Sequence, residues 1–105
     1  MTIKELCKIC HKVAVSKGWW DENRNRGEII ALIHSELSEA LEALRSGNRQ
    51  KKNSKWEKDT YEDELIDVII RVIDLAEAEG VNVEWQLKNK IEYNKKRPKK
   101  HGKRF

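Results

Sequence analysis

Four carboxylates stand in two pairs at one spacing. Glu36 and Glu39 are three residues apart in HSELSEALEALR, Glu64 and Asp67 are three apart in EDELIDVIIRVIDLAEAEG, and 24 residues separate Glu39 from Glu64. Residues at i and i+3 share a helix face, so two helices carrying such pairs can aim four carboxylates at one point. Glutamate and aspartate offer hard oxygen donors only, the set that selects Mg²⁺ or Mn²⁺ over zinc or copper. Magnesium held by a few carboxylates fills its shell with waters and substrate phosphates. The chemistry indicated is metal-assisted phosphoryl or nucleotidyl transfer to water, on a phosphate or polyphosphate ester. A ferritin-like di-iron centre would need Glu-x-x-His on two helices, and His34 lies on the wrong side of Glu36 to supply one.

The elements that must position these groups follow from periodicity. Thr60 to Gly80 reads as a helix with Tyr61, Leu65, Ile66, Val68, Ile69, Ile70, Val72, Ile73, Leu75 and Ala76 over most of its circumference, and a narrow polar strip of Asp63, Glu64, Asp67, Arg71 and Asp74. A helix so apolar is expected to be buried nearly all round, and buried acids must be protonated, paired or metal-bound. Arg71 is expected to pair with Asp67 or Asp74. Asp74 lies about 10 Å along the axis from Asp67, too far to share its metal. The helix before it spans about Arg26 to Ser46 and stops at Gly47, with an apolar face of Ile29, Ile30, Ile33, Leu37, Ala40, Leu41 and Leu44. Glu36 sits at the edge of that face, Glu39 one step further out, and Glu42 on the solvent side. Thr2 and Glu5 form a capping box ahead of a first helix that ends at Gly18. Asn82 caps a fourth, seamed by Val83, Leu87 and Ile91 and closed by Pro98. Between the first two helices lie Trp19, Trp20 and DENRNRG, where at least one tryptophan is expected to plug the helix ends and either could stack on a base. Between the second and third lies the polar, basic loop NRQKKNSKWEK, which Trp56 is expected to anchor to the body.

The chain therefore reads as all-α, one domain over residues 1–98 with a basic tail over 99–105. At 105 residues its own core is moderate, so partner chains are expected to complete the burial. The N-terminus has no apolar h-region or small-residue cleavage site, and no run reaches membrane-span length, which places the expectation in the cytosol with no membrane partner. Net charge is +4, but Lys88 to Phe105 holds nine Lys or Arg against Glu92 alone, leaving 13 basic and 17 acidic residues elsewhere. That split suits cations held in one place and phosphates in another. Asn94, Lys96, Arg97, Lys100 and Lys103 are the candidate phosphate contacts, arginine being best suited to a phosphate fork. The competing reading is a nucleic-acid-binding or regulatory helical protein that uses the basic C-terminus. CKICH at Cys7 to His11 matches the c-type haem pattern, but helical periodicity runs through it and a single CxxC is half a structural zinc site, so ordinary helix thiols are expected.

Taken together, HSELSEALEALR, EDELIDVIIRVIDLAEAEGV and EYNKKRPKKHGKRF resemble the MazG-like branch of the all-α nucleotide pyrophosphohydrolases, over most of the chain from Trp19 onward. The resemblance implies a four-helix bundle-like NTP pyrophosphatase fold and hydrolysis of a nucleoside triphosphate between the α and β phosphates to give the monophosphate and pyrophosphate. It implies Mg²⁺, with Mn²⁺ as substitute, on Glu36, Glu39, Glu64 and Asp67. It also implies a homodimer or homotetramer with the site near or across the subunit interface. Trp19, Trp20 and Asn25 become candidates for the base pocket. Glu39, the more solvent-facing of its pair, is the candidate catalytic base.

Overall fold

Thr2 accepts a hydrogen bond from the Glu5 N–H at 3.0 Å while the Glu5 side chain reaches back to the Thr2 N–H, and this capping box opens α1 (Ile3–Ser16). The computed structural model describes all of residues 1–105. It contains α1, α2 (Arg26–Arg45), α3 (Tyr61–Ala78), α4 (Val83–Lys95) and a short 3₁₀ turn at Lys99–Gly102, with no strand. Each of the four helices starts on a side-chain cap: Asn25 accepts from the Gly27 N–H at 2.7 Å, Thr60 from that of Asp63 at 3.2 Å, and Asn82 from that of Trp85 at 3.0 Å. These caps satisfy N–H groups that no helix turn can reach. Gly47 and Gly80 follow α2 and α3 at φ of 72° and 71°, the left-handed conformation that lets the chain leave a helix without steric cost.

Two sets of contacts fix the helix directions. Arg26 forks onto Glu79, and Tyr61 N–H donates to the Asn48 carbonyl at 2.9 Å, so α2 and α3 run antiparallel and are pinned at both ends. Cys10 and His11 of α1 lie beside Asp74 of α3, so α1 packs on another side of the same helix. The third helix is thus central, as its apolar content implied.

Its burial differs from the expectation. Nine residues are buried, and of the five apolar ones only Ile29 is a large aliphatic. Leu65, Ile66, Ile69, Ile70 and Val72 of α3 remain exposed within one chain, so α3 is not enclosed all round. The inward stripe of α2 is also rotated from the predicted face. It consists of Ile29, Glu36, Ala40 and Ala43, while Ile30, Leu37, Leu41 and Leu44 are open. The physical reason is that α2 turns its small side chains and its acid toward the polar strip of α3, allowing close approach there. The bulky leucines stay exposed. No helix is long and apolar enough to cross a membrane.

The loop between α2 and α3 is held by its own side chains. Gln50 Nε2 donates to the Lys55 carbonyl at 2.9 Å and to Ser54 Oγ at 3.1 Å, and Glu62 accepts from Arg49 Nε and the Gln50 N–H, both at 3.0 Å. Trp56 does not anchor it. The ring is 72 % exposed, because the polar hydrogen bonds close the loop without it. Thr60 ends the loop at 1 % exposure, the most deeply buried residue in the chain. Thr60→Ala is expected to cost about 1–2 kcal/mol by removing the α3 cap, which a chemical-denaturation midpoint compared with wild type would read.

Candidate functional site

Glu36 of α2 and Glu64 and Asp67 of α3 meet where the two helices cross. One carboxylate oxygen from each lies within 4.8 Å of the others. Glu36 and Glu64 are 7 % and 6 % exposed, and Asp67 is half-buried. Glu36 accepts a hydrogen bond from Arg71 Nε at 2.7 Å. The predicted pairing of Arg71 with Asp67 or Asp74 is therefore corrected: Arg71 sits on the side of α3 facing α2, and the nearest acid across that interface is Glu36. One oxygen of Glu64, Oε2, is buried without any hydrogen-bond partner. Burial, and then the neighbouring carboxyls of Glu39, Asp67 and Glu36, push the Glu64 pKa up to about 7. Burial together with Asp63 and Glu36 raises Asp67 as well, against the pull of Arg71.

Glu39 borders this triad, its carboxyl facing those of Glu36 and Glu64. It is exposed at the rim and is not one of the three groups that converge. Its carboxyl still lies close enough to Glu36 for that neighbour, followed by burial, to hold it above the ordinary carboxylate range. Of the four acids named from sequence, three form the centre and the fourth borders it.

Beside the triad is a slot of about 400 Å³ between α1, α3 and the connection after α1. Ile9, Cys10, Val13 and Ala14 of α1 give it an apolar lining together with Trp19 and Ile29, and Glu36, Asp67, Asp74 and Arg71 give it a charged one. Arg71 stacks on the Trp19 ring at 5.0 Å, and Arg24 stacks on Trp19 at 5.6 Å and Trp20 at 4.8 Å. Guanidinium groups over indole faces are held by the ring quadrupole, and here they give the slot a planar, cation-flanked wall. Lys17 also lines it.

The two tryptophans have separate roles. Trp20 Nε1 donates to both oxygens of Asp74 at 3.0 and 3.1 Å, and its ring packs edge-on against His11 with centroids 5.5 Å apart. Trp20, a candidate for base stacking, is thus a plug that locks the connection to α3 and does not line the slot. Trp19 does. Asn25, another base-pocket candidate, is committed to capping α2. Asp74 also faces His11 Nδ1 at 2.7 Å and Arg24 at 4.0 Å. It is buried and outside the triad, as its distance along the axis required. Asp74→Ala would leave the Trp20 N–H and the His11 ring without their partner. It is expected to lower stability by about 2–3 kcal/mol and to red-shift tryptophan emission as the connection loosens, whereas Asp74→Asn should keep much of the packing.

Cys7 and Cys10 are buried and unpaired on α1, and burial, with Glu77 near Cys7 and the Cys7 thiol near Cys10, raises both thiols. Asn94, Lys96, Arg97, Lys100 and Lys103 do not approach the triad within their own chain. None lines the slot, and none hydrogen-bonds or ion-pairs with its acids. Arg97 lies over its own helix's Tyr93 at 5.2 Å. Sequence reasoning passed over Arg24 and Lys17 because they stand in or beside an aperiodic connection, where helical spacing assigns no face. Compared with protein-family models, curated proteins and solved structures, the chain matches none.

Proposed function

We propose that the chain is a Mg²⁺-dependent nucleoside triphosphate pyrophosphohydrolase that releases the monophosphate and pyrophosphate. One observation carries this reading: a glutamate oxygen, Glu64 Oε2, buried without a partner beside two further carboxylates within 4.8 Å. A buried polar atom left unpaired costs free energy unless a ligand satisfies it, and three acid groups together call for a cation. An all-oxygen donor set fits Mg²⁺ or Mn²⁺. Glu36, Glu64 and Asp67 would hold the ion, which when bound supplies positive charge to phosphate oxygens and lowers the pKa of a water.

The remaining work belongs to this chain's own residues. Arg71 fixes the Glu36 carboxylate through its 2.7 Å bond. Glu39, solvent-facing with a raised affinity for protons, takes the proton from the attacking water. Trp19, approached by Arg24 and Arg71, lines the slot that would take a nucleobase, and Ile9, Cys10, Val13 and Ala14 of α1 give that slot an apolar lining. The open aliphatic rows of α2 and α3 support a homodimer or homotetramer, since a chain burying one large aliphatic has not closed its core.

The test is incubation of the purified protein with each common triphosphate and Mg²⁺ in ¹⁸O-water. Monophosphate carrying the label is expected. Diphosphate with orthophosphate, or no turnover, would overturn the reading. A second reading, binding of nucleic acid through the basic C-terminal segment, is favoured by the exposure of α4 and its tail. It requires strongly salt-dependent binding to an oligonucleotide without divalent metal.

A further inference from the structure

We propose that Arg24 selects the base of the substrate, so that the slot takes a 6-oxopurine nucleotide, guanine or hypoxanthine, in preference to its 6-amino counterpart. The inference rests on the pyrophosphohydrolase reading for the use of the slot and adds to it the class of base admitted.

The place of the base follows from α3. Asp67 and Asp74 both line the slot and stand two turns apart on that helix, about 10 Å along its axis. Asp67 belongs to the acidic triad, where phosphates would be held, and Asp74 lies outside it, toward the opposite end of the slot. Arg24 is at the Asp74 end, with its Nη1 4.0 Å from Asp74 Oδ2. A nucleotide with its phosphates at the triad therefore brings its base, not its phosphates, to Arg24.

Arg24 is an enclosed cation with its hydrogen bonds unused. Its side chain is only 14 % exposed, and its guanidinium lies over the rings of Trp19 and Trp20 at 5.6 and 4.8 Å. An indole face attracts the charge without accepting an N–H···O bond. The nearest acid, Asp74, is beyond hydrogen-bond distance, and its oxygens already accept from Trp20 Nε1 at 3.0 and 3.1 Å and face His11 Nδ1 at 2.7 Å. Arg71, on the same slot, instead donates its Nε to Glu36 at 2.7 Å. Arg24 is thus held in place by its charge, while the planar donor fork of its guanidinium stays open. Donors kept from water in this way favour a ligand that supplies acceptors.

The oxygen acceptors around that end are taken. Besides Asp74, the carbonyls of Val13 and Ala14 at the end of α1 accept from the Lys17 and Trp19 N–H groups, each at 3.1 Å. Lys17 adds a second donor to the lining. The base end of the slot therefore offers donors and lacks an open oxygen to receive an amino group. A 6-oxopurine presents O6 and N7, two adjacent acceptors that one guanidinium fork meets together. A 6-aminopurine keeps N7 but sets an amino donor against the same fork. Uracil offers O4 alone on its far edge, and cytosine carries an amino group there. A site whose donors are enclosed loses most with the base that leaves them unmatched.

Two measurements on the full-length protein decide it. The first is kcat/KM with Mg²⁺ for the inosine, guanosine, adenosine, uridine and cytidine triphosphates. Inosine and adenosine nucleotides differ only in the 6-position and the proton it places on N1, so their ratio isolates the contact. Inosine and guanosine triphosphates are expected to exceed adenosine triphosphate by about tenfold or more. Arg24→Met keeps the stem and removes every N–H, and its inosine-to-adenosine ratio should fall to near one. Arg24→Lys keeps a charge over the indoles without the fork and should lose most of the preference, which serves as the test if the methionine variant does not fold. A general loss of structure would lower all five rates and leave their ratio alone. A wild-type ratio near or below one, faster turnover of either pyrimidine nucleotide, or a preference that survives in the folded variants would overturn the proposal. The second measurement is calorimetric titration with inosine and adenosine monophosphates, which needs no turnover. Inosine monophosphate is expected to bind about tenfold more tightly, and Arg24→Lys should remove the difference. Equal affinity, or no binding of either, would overturn the proposal. If no triphosphate is hydrolysed, the enzymatic reading fails, while the monophosphate titrations still decide whether Arg24 selects a 6-oxo base.

Discussion

Glu64→Gln is expected to reduce Mg²⁺-dependent triphosphate hydrolysis by about 10³-fold or more while leaving a folded protein. Glu64 is buried at the crossing of α2 and α3, with one oxygen unpartnered and with Glu36 and Asp67 inside 4.8 Å. An amide keeps the shape but loses the negative charge that a hard cation requires. Losing several kcal/mol of transition-state charge stabilisation corresponds to thousands-fold in rate. Glu36→Gln and Asp67→Asn should fall in the same range. Glu36→Gln should also weaken the contact to Arg71, now 2.7 Å from the carboxylate, and so loosen the Trp19 wall that Arg71 stacks on. Steady-state kinetics with Mg²⁺, alongside circular dichroism of each variant, makes the check. Wild-type turnover in Glu64→Gln would remove the basis of the metal assignment. The triad variants should not be additive, because three ligands to one ion act as a unit.

Without divalent metal, the protein is expected to lose stability as pH rises from about 4.5 to 8, and Mg²⁺ is expected to reverse the trend at the upper end. The direction follows from linkage. Burial and neighbouring carboxyls raise Glu64 from 4.5 to about 7 in the folded chain, so the folded state holds a proton that the unfolded state releases. The stabilisation from that proton is fully present below about 4.5 and disappears as pH climbs through 7. Glu39 and Asp67 are raised as well and add to the same slope. Glu79 moves the other way, its hydrogen bond to Arg26 holding it below the usual range, but its contribution is lost only as pH falls below the ordinary carboxylate value, outside this window. Metal binding needs the deprotonated acids and displaces their protons. The thermal midpoint gained on adding Mg²⁺ should therefore be small at pH 5.5 and several degrees at pH 8. In Glu64→Gln the metal-free slope should flatten and the gain from metal should vanish. Melting curves in chelator and in excess Mg²⁺ at three pH values provide the measurement. A wild-type protein whose metal-free stability rises across this range would contradict the burial of the acids.

The helices and the two acidic pairs were legible in the sequence because both are local properties. Thr2 and Asn82 read as caps because they act on residues three positions away, and the i, i+3 acids declare a shared face wherever the helix packs, whereas Asn25, read as a base-pocket candidate, and Thr60 show their capping role in the structure. The partner of Arg71, the lock of Trp20 onto Asp74 and the identity of Trp19 as the slot wall were decided only by tertiary structure. Each depends on which way α2 and the connection before it are rotated against α3. A stripe of alanines beside a stripe of leucines leaves that rotation open, since either can be called apolar. Folding settled it by turning the small residues and Glu36 inward, so that the acids meet and the leucines stay outside. The chain's own order thus determined that two acidic helices exist and how long they are. The crossing of those helices determined that three of the four acids share one point and the fourth borders it, because convergence is a property of two surfaces and is written in neither alone.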